Sequence, residues 1–240
     1  MPYAQFFEEH ARSVMRYLGC PCEYFSRGTE LDIVTNAYRN ALSVREIEGY
    51  TPLLIVIDSH MYFEEELHSA DLQYEVFAAP KIDPEEWFVK TKQRHDNDFC
   101  YEPDQIIGEI SNGAEINDFS GIIDYGIKKS RECVLAKIPV KKPWEIFAWF
   151  PFGGWNDCPP PEKMLWIGKY WYEKYGAIPA IMTGSELEFI TRPVEDKAAA
   201  FKLAQEHFAF CPDHVLQNIG TIGKLADSLT KSSVWYFWWD

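Results

Sequence analysis

Residues 177–191 read AIPAIMTGSELEFIT. Two short apolar runs flank Thr183-Gly184-Ser185, and a small polar triplet with a central glycine between such runs is a hairpin signal. The pattern predicts a strand over Ala177–Met182 and a second over Glu186–Thr191. On the N-terminal side, residues 162–175 put Met164, Leu165, Gly168, Trp171 and Tyr175 on one helical face, and Gly176 supplies the stop. On the C-terminal side, Glu195–Phe208 turns Ala200, Leu203, Ala204 and His207 inward, and Thr221–Thr230 does the same with Ile222, Leu225, Ala226 and Leu229. Trp144–Phe150 reads as a strand before the first of these helices. The chain ends in Val234-Trp235-Tyr236-Phe237-Trp238-Trp239-Asp240, which reads as a last strand. The order over 144–239 is therefore β-α-β-β-α-(α)-β, that of a ferredoxin-like split β-α-β-β-α-β sandwich. Its last strand is expected to lie central or beside the first.

The N-terminal half reads as an α/β lobe. Phe6, Phe7, Val14, Met15 and Leu18 share a face over 3–18, and Gly19 ends that helix. A second helix fits within 30–47, before Gly49. Thr51–Asp58 (TPLLIVID) is a buried strand with an acid at its end. Phe63–Ser69 looks helical. Asp83-Pro84-Glu85-Glu86 is a helix start, with Asp83 as cap, and that helix runs to about His95. Residues 96–130 are polar and irregular, with a short helix near Pro103–Glu109, and residues 133–139 form a strand. The expectation is an α+β protein with an N-terminal lobe over 1–130 and a C-terminal domain over 131–240. No internal repeat is evident.

Composition narrows the function. The chain has 240 residues, 47% of them hydrophobic and 25% charged, the balance of a globular protein. The formal charge of −14 leaves no footprint for neutralising phosphates, so nucleic acid is not expected as a partner. Anionic membranes would repel it. A basic protein remains compatible. Glu8, Glu9, Arg12 and Arg16 interrupt the N-terminal apolar pattern, so no secretory leader is read there, and no run approaches the ~20 apolar residues of a membrane span. A cytoplasmic protein with reduced thiols is expected. Cys20-Pro21-Cys22 is too closely spaced for an easy disulfide, and no second Cys/His pair at zinc-finger spacing follows it.

Three segments could carry chemistry. Gly153-Gly154-Trp155-Asn156-Asp157-Cys158 is a loop whose glycines allow close approach of a ligand and whose Asn156 and Cys158 are polar, or it is a tight turn whose Trp155 plugs the core. Glu206-His207-Phe208-Ala209-Phe210-Cys211-Pro212-Asp213 puts His207 and Cys211 four apart on one helical face, with Asp213 just beyond. That set suits a metal or a thiol nucleophile. It equally suits a buried Cys211, a core His207 and an Asp213 cap, and an acidic neighbourhood does not favour a thiolate. Alternation puts Trp235, Phe237 and Trp239 on one face of the last strand and Tyr236, Trp238 and Asp240 on the other. Asp58 after its strand resembles a magnesium-site acid, although the nearby Glu64, Glu65 and Glu66 read better as a solvated helix start. No P-loop, nucleophile elbow, zinc-protease or dinucleotide fingerprint is present.

The string Pro143-Trp144 through Phe152-Gly153-Gly154-Trp155-Asn156-x-Cys158-Pro159, then Lys169-Tyr170-Trp171-Tyr172-x-x-Tyr175-Gly176-Ala177, Ala204-x-Glu206-His207-Phe208-x-Phe210-Cys211-Pro212-Asp213 and Trp235-x-Phe237-Trp238-Trp239-Asp240, resembles a bacterial family known as domain of unknown function 4253. The resemblance covers about the last hundred residues. It implies a bacterial, cytoplasmic source and brings no activity, cofactor or catalytic residue. It marks Trp155, Asn156, Cys158, Glu206, His207, Cys211, Asp213 and Asp240 as the candidate ligand-binding set, expected to converge in the fold. Two functions follow: an interaction module, immunity- or inhibitor-like, against a basic protein partner, or an enzyme or small-ligand binder with a Trp-lined Cys/His/Asp pocket. Whether the chain is an enzyme stays open. A purely structural domain is the third reading. No cofactor or metal is indicated.

Overall fold

The Thr183-Gly184-Ser185 turn closes as read. The Thr183 N–H donates to the Glu186 carbonyl at 3.0 Å, and the Thr183 hydroxyl accepts from the N–H groups of Ser185 and Glu186. The structure, a computed structural model, describes residues 3–58, 69–98 and 103–240. In chain order the elements are α1 (Tyr3–Leu18), β1 (Cys22–Phe25), α2 (Leu31–Glu48), β2 (Thr51–Val56), α3 (Ser69–Ala78), α4 (Pro84–Asp98), α5 (Pro103–Ile107), β3 (Ile123–Asp124), β4 (Lys129–Ser130) and β5 (Cys133–Ile138). A 3-10 helix over Pro143–Ala148 follows, then α6 (Pro161–Tyr175), β6 (Ile178–Met182), β7 (Glu186–Ile190), α7 (Lys197–Phe210), a π-helical turn over His214–Ile219, α8 (Ile222–Leu229) and β8 (Val234–Trp238).

The six longer strands form a mixed sheet in the order β1-β5-β2-β6-β7-β8, and β3 pairs with β4 in a small sheet of its own. β5 is antiparallel to both β1 and β2, with Cys22 opposite Ala136 and Leu54 opposite Leu135. β2 runs parallel to β6, with Leu54 opposite Ile181. The chain is thus mixed α and β, as expected, but the ferredoxin-like split order is not reproduced. Its first strand is missing, because Trp144–Phe150 lies in and just after the 3-10 helix. Pro143 starts that helix, the Glu145 N–H donates to Lys142, and the Trp149 N–H donates to Ile146. Ile146, Phe147, Ala148 and Phe150 are all buried, so their apolar run carries no period that separates strand from helix. β8 also stands at an edge of the sheet rather than at its centre.

The helix punctuation holds. Gly49 and Gly176 end α2 and α6 in the left-handed conformation, and Asp83 accepts from the N–H groups of Glu85 and Glu86. The stretch read as irregular, 96–130, also holds the small β3–β4 hairpin, and α3 was not anticipated. Most of the helix read at Phe63–Ser69, with Glu64, Glu65 and Glu66, lies outside the described residues. Among the described residues, no helix is long and apolar enough to cross a membrane.

Two compact units divide the chain. The first comprises Met1–Ala79, Phe119–Phe152 and Pro179–Glu188. In it α1 packs on β5 and α2 on β2, burying Val14 and Leu18 from one helix and Val34 and Tyr38 from the other. The second comprises Pro80–Asp118, Gly153–Ile178 and Phe189–Asp240. There α4 and α8 pack against α7, around a core of large rings that includes Trp171, Phe210, Trp235 and Phe237.

Candidate functional site

The eight candidate residues all lie in the second unit, in two groups. Glu206 and His207 are on the buried face of α7. Glu206 is only 4% exposed, and a buried carboxylate needs partners. Its Oε2 accepts from the Trp171 indole N–H at 3.1 Å, its Oε1 accepts from the Tyr170 hydroxyl at 2.8 Å, and Lys174 Nζ stands 3.5 Å from Oε1. Tyr170 also reaches Glu85, which is held below its usual carboxylate range first by a hydrogen bond from Lys202 and then by that tyrosine. Burial and the nearby Glu206 push the Tyr170 phenol up, so it stays a donor.

His207 sits among rings. Its centroid lies 4.6 Å from Trp235, 4.7 Å from Phe237 and 5.2 Å from Trp171, each near edge-on. Nε2 has no hydrogen-bond partner among the described residues, and burial holds the imidazole far below its ordinary pKa, so it is neutral. His214 is likewise lowered by burial to about 4. Neither ring is placed to take a proton at neutral pH.

The second group gathers at the C-terminus. The Asn156 amide donates to the main-chain oxygen of Asp240, and the Asp240 N–H donates to Asp213 Oδ2 at 3.2 Å. Asp213 Oδ1 takes the Gln217 side chain at 2.9 Å, so Asp213 ties down the chain end instead of capping the turn that follows it. The Cys211 thiol donates to the Trp238 carbonyl at 2.9 Å. Cys158 closes the Gly153–Cys158 loop, its N–H donating to the Trp155 carbonyl at 2.9 Å, and the neighbouring Cys211 would, if ionised, oppose ionisation of Cys158. Trp155 is half-buried and Asn156 takes a left-handed φ of 46°. Gly153 is required here: with φ at +97°, an added Cβ would fall 2.1 Å from the Pro159 carbonyl oxygen.

The loop, the end of α7 and the last strand are therefore brought together, while Glu206 and His207 serve the ring cluster above them. The chemistry open to this group is limited. Burial raises the Cys211 thiol to about 12 and raises Cys158 further, with Asp213 and Asp157 adding to the effect at Cys211. A nucleophilic cysteine needs the opposite environment. Among the described residues, no three His, Cys, Asp or Glu side chains are grouped as metal ligands would be. Cys158 and Cys211 are accordingly expected to resist iodoacetamide in the native protein and to react only after unfolding. Rapid native labelling of either, read by peptide mapping, would contradict this placement.

A different polar cluster, in the first unit, escaped the sequence reading. Arg131 donates to Glu186 Oε2 at 3.0 Å, to Asp58 Oδ2 at 3.2 Å and to the Gly121 carbonyl at 3.1 Å. Asp58 also accepts from the Gly184 N–H at 2.8 Å. Glu188, fully buried, takes three donors on Oε1: the Ser120 N–H and hydroxyl and the Gly121 N–H. Its Oε2 has no hydrogen-bond partner among the described residues, and desolvation raises the carboxyl to about 7 against the pull of those donors. The cluster stands where the parallel strands β2 and β6 end, which is where open α/β sheets tend to place sites. The available signal was the Glu186-Leu187-Glu188 alternation, two acids on one face of an otherwise apolar strand.

No curated protein and no solved structure matches the chain. The stretch from Val134 to Asp240, which holds both α7 and the closure of Asn156 on the chain end, matches the model of the family described as Domain of unknown function (DUF4253).

Proposed function

We propose that this chain is a protein-interaction module of the bacterial cytoplasm that holds a basic protein partner, in the manner of an immunity factor or inhibitor. The observation that carries the reading is the formal charge of −14. Several of its cations are engaged by the chain's own acids: Arg27 by Asp124, Arg94 by Asp157, Lys129 by Glu30, and Arg131 by Asp58 and Glu186. The acid surplus is left to solvent, and such a field steers a basic partner and rejects acidic ones. The burial of Cys158, Cys211, His207 and His214 supports the same reading, since it keeps the two thiols protonated and the two imidazoles neutral at the candidate site. Cross-linking in the source cell, followed by binding of the purified pair, tests it. The expected result is a basic protein whose affinity weakens about tenfold or more from ~0.05 M to ~0.5 M salt. An acidic partner, or one indifferent to salt, would overturn the reading.

A second reading, a small-ligand binder or enzyme, is favoured by one observation: Asn156, Cys211, Asp213 and Asp240 are drawn together beside half-buried Trp155. Native mass spectrometry separates the two. A small molecule retained by the wild type and lost in Asn156→Ala supports the second reading, and a chain that carries only a protein supports the first.

A further inference from the structure

Cys20-Pro21-Cys22 takes no part in either group above. The tripeptide joins α1 to β1, the edge strand of the sheet, and its backbone is held on both sides. The Gly19 N–H donates to Met15 at 3.1 Å, the Pro21 carbonyl accepts the Lys137 N–H at 2.9 Å, and Cys22 is in register with Ala136. Pro21 adds its own restriction on φ. At this anchored bend the Cys22 thiol donates to the Cys20 carbonyl at 3.3 Å, and its sulfur is close enough to the Cys20 thiol for each to alter the other's ionisation. Both are half-exposed, whereas Cys133, Cys158 and Cys211 are buried.

We propose that Cys20 and Cys22 form a redox-active dithiol that exchanges with low-molecular-weight disulfides. Cys22 is the attacking group and Cys20 the resolving one. The hydrogen bond from Cys20 stabilises a Cys22 thiolate and brings its pKa below that of an ordinary thiol, while the same interaction makes Cys20 the last to ionise. In the first step the Cys22 thiolate attacks one sulfur of the small disulfide. A bond forms between them, the disulfide bond breaks, and the departing thiolate takes up a proton. In the second step Cys20 loses its proton and attacks the Cys22 sulfur, and the remaining small thiol leaves. Two protein thiols are oxidised and one disulfide is reduced to two thiols.

The resulting bond spans a single residue. A loop that short contributes little constraint to the unfolded chain, so the disulfide adds little stability. Closing the sulfurs to about 2 Å across one proline strains the ring, and strained, exposed disulfides are the labile ones. The pair is therefore suited to reversible exchange rather than to stapling the fold, which fits a chain with an extensive buried core.

The test uses the full chain carrying Cys100→Ser, equilibrated with mixtures of oxidised and reduced glutathione, quenched in acid, alkylated and weighed intact with peptide mapping. The expected product has lost two hydrogens, has Cys20 and Cys22 both protected, and returns to the dithiol with excess reduced glutathione. Cys20→Ser is expected to trap glutathione on Cys22. Cys22→Ser is expected to form its adduct on Cys20 at least ~10-fold more slowly. Three results would overturn the proposal: a Cys100→Ser chain that stays fully alkylatable, one that accumulates an unresolved glutathione adduct, or a reduced pair that retains zinc and forms no disulfide. That measurement stands without the Cys20 and Cys22 variants, so a variant that misfolds leaves the test intact.

Discussion

Trp171→Ala is expected to lower stability by about 4 kcal/mol, the upper range for truncating a buried aromatic ring. Trp171 is fully buried on α6. It stacks on Phe237 at 5.6 Å with 5° between the planes and on Phe88 at 5.6 Å, and it meets Phe210, Trp235, Phe189 and His207 edge-on. Few positions touch so many rings, so the cavity left behind has rigid walls and little means of collapsing. The polar end adds to the loss, because Glu206 Oε2 would be left without the indole donor in a buried site. Trp171→Phe separates the two contributions. It keeps an aromatic ring and removes the N–H, and its expected cost is about 1–3 kcal/mol. In a double-mutant cycle with Glu206→Ala, the two losses should fall short of additive, since both remove the same hydrogen bond. Urea unfolding at neutral pH reads the wild type and all four variants. A Trp171→Ala loss below about 1 kcal/mol would mean that the second unit is not organised around this ring.

The family motif and the ring cluster explain each other. Trp171, Glu206, His207, Phe210, Trp235 and Phe237 lie in the runs on which the sequence resemblance was read, and here they form one contact set. Much of that motif therefore describes a core. What remains for the surface is the closure of Asn156, Asp213 and the chain end, together with the acid surplus on which the interaction reading rests.

How far the sequence can be read depends on whether a pattern has one physical cause. The terminal strand has one: Trp235, Phe237 and Trp239 are at most 2% exposed while Asp240 faces solvent, so period-two alternation was enough. Helix ends at Gly49, Asp83 and Gly176 were legible because each has a specific backbone reason. Trp144–Phe150 was not, because residues buried on every side satisfy strand and helix patterns alike. The convergence of Asn156, Cys211, Asp213 and Asp240 could be anticipated from polar residues set in aromatic runs. The protonation of Cys211 could not, since it depends on burial and on the carbonyl it meets. The Arg131 cluster was hidden for another reason: its members come from four separate stretches, and only the fold brings Asp58, Ser120, Arg131 and Glu188 to one place.

Glu188→Gln is expected to abolish a pH dependence of stability that the wild type carries. In the fold, burial raises the Glu188 carboxyl from 4.5 to about 7. The sign follows from where the proton is held. Below about pH 4.5 the group is protonated in both the folded and unfolded chain, and its contribution is fully present. Between about 4.5 and 7 the unfolded chain releases the proton and the folded chain keeps it, so stability falls as pH rises. Above about 7 the folded protein must hold a buried charge, and the full loss, on the order of 3 kcal/mol, has accrued. The groups facing Glu188 explain why the donors do not prevent this. The Ser120 and Gly121 donors all serve Oε1, Oε2 has none among the described residues, and Glu186 on the same face of β7 adds repulsion. Arg131 is engaged by Glu186, Asp58 and the Gly121 carbonyl. Glutamine keeps a carbonyl oxygen for the three donors and cannot ionise. Urea midpoints at about pH 5 and about pH 8 should therefore diverge, with the variant gaining on the wild type at the higher pH. Other groups titrate over the same range in both proteins, so the difference between them isolates this carboxyl. Parallel pH profiles would show that Glu188 ionises at no cost, with water or a cation reaching Oε2.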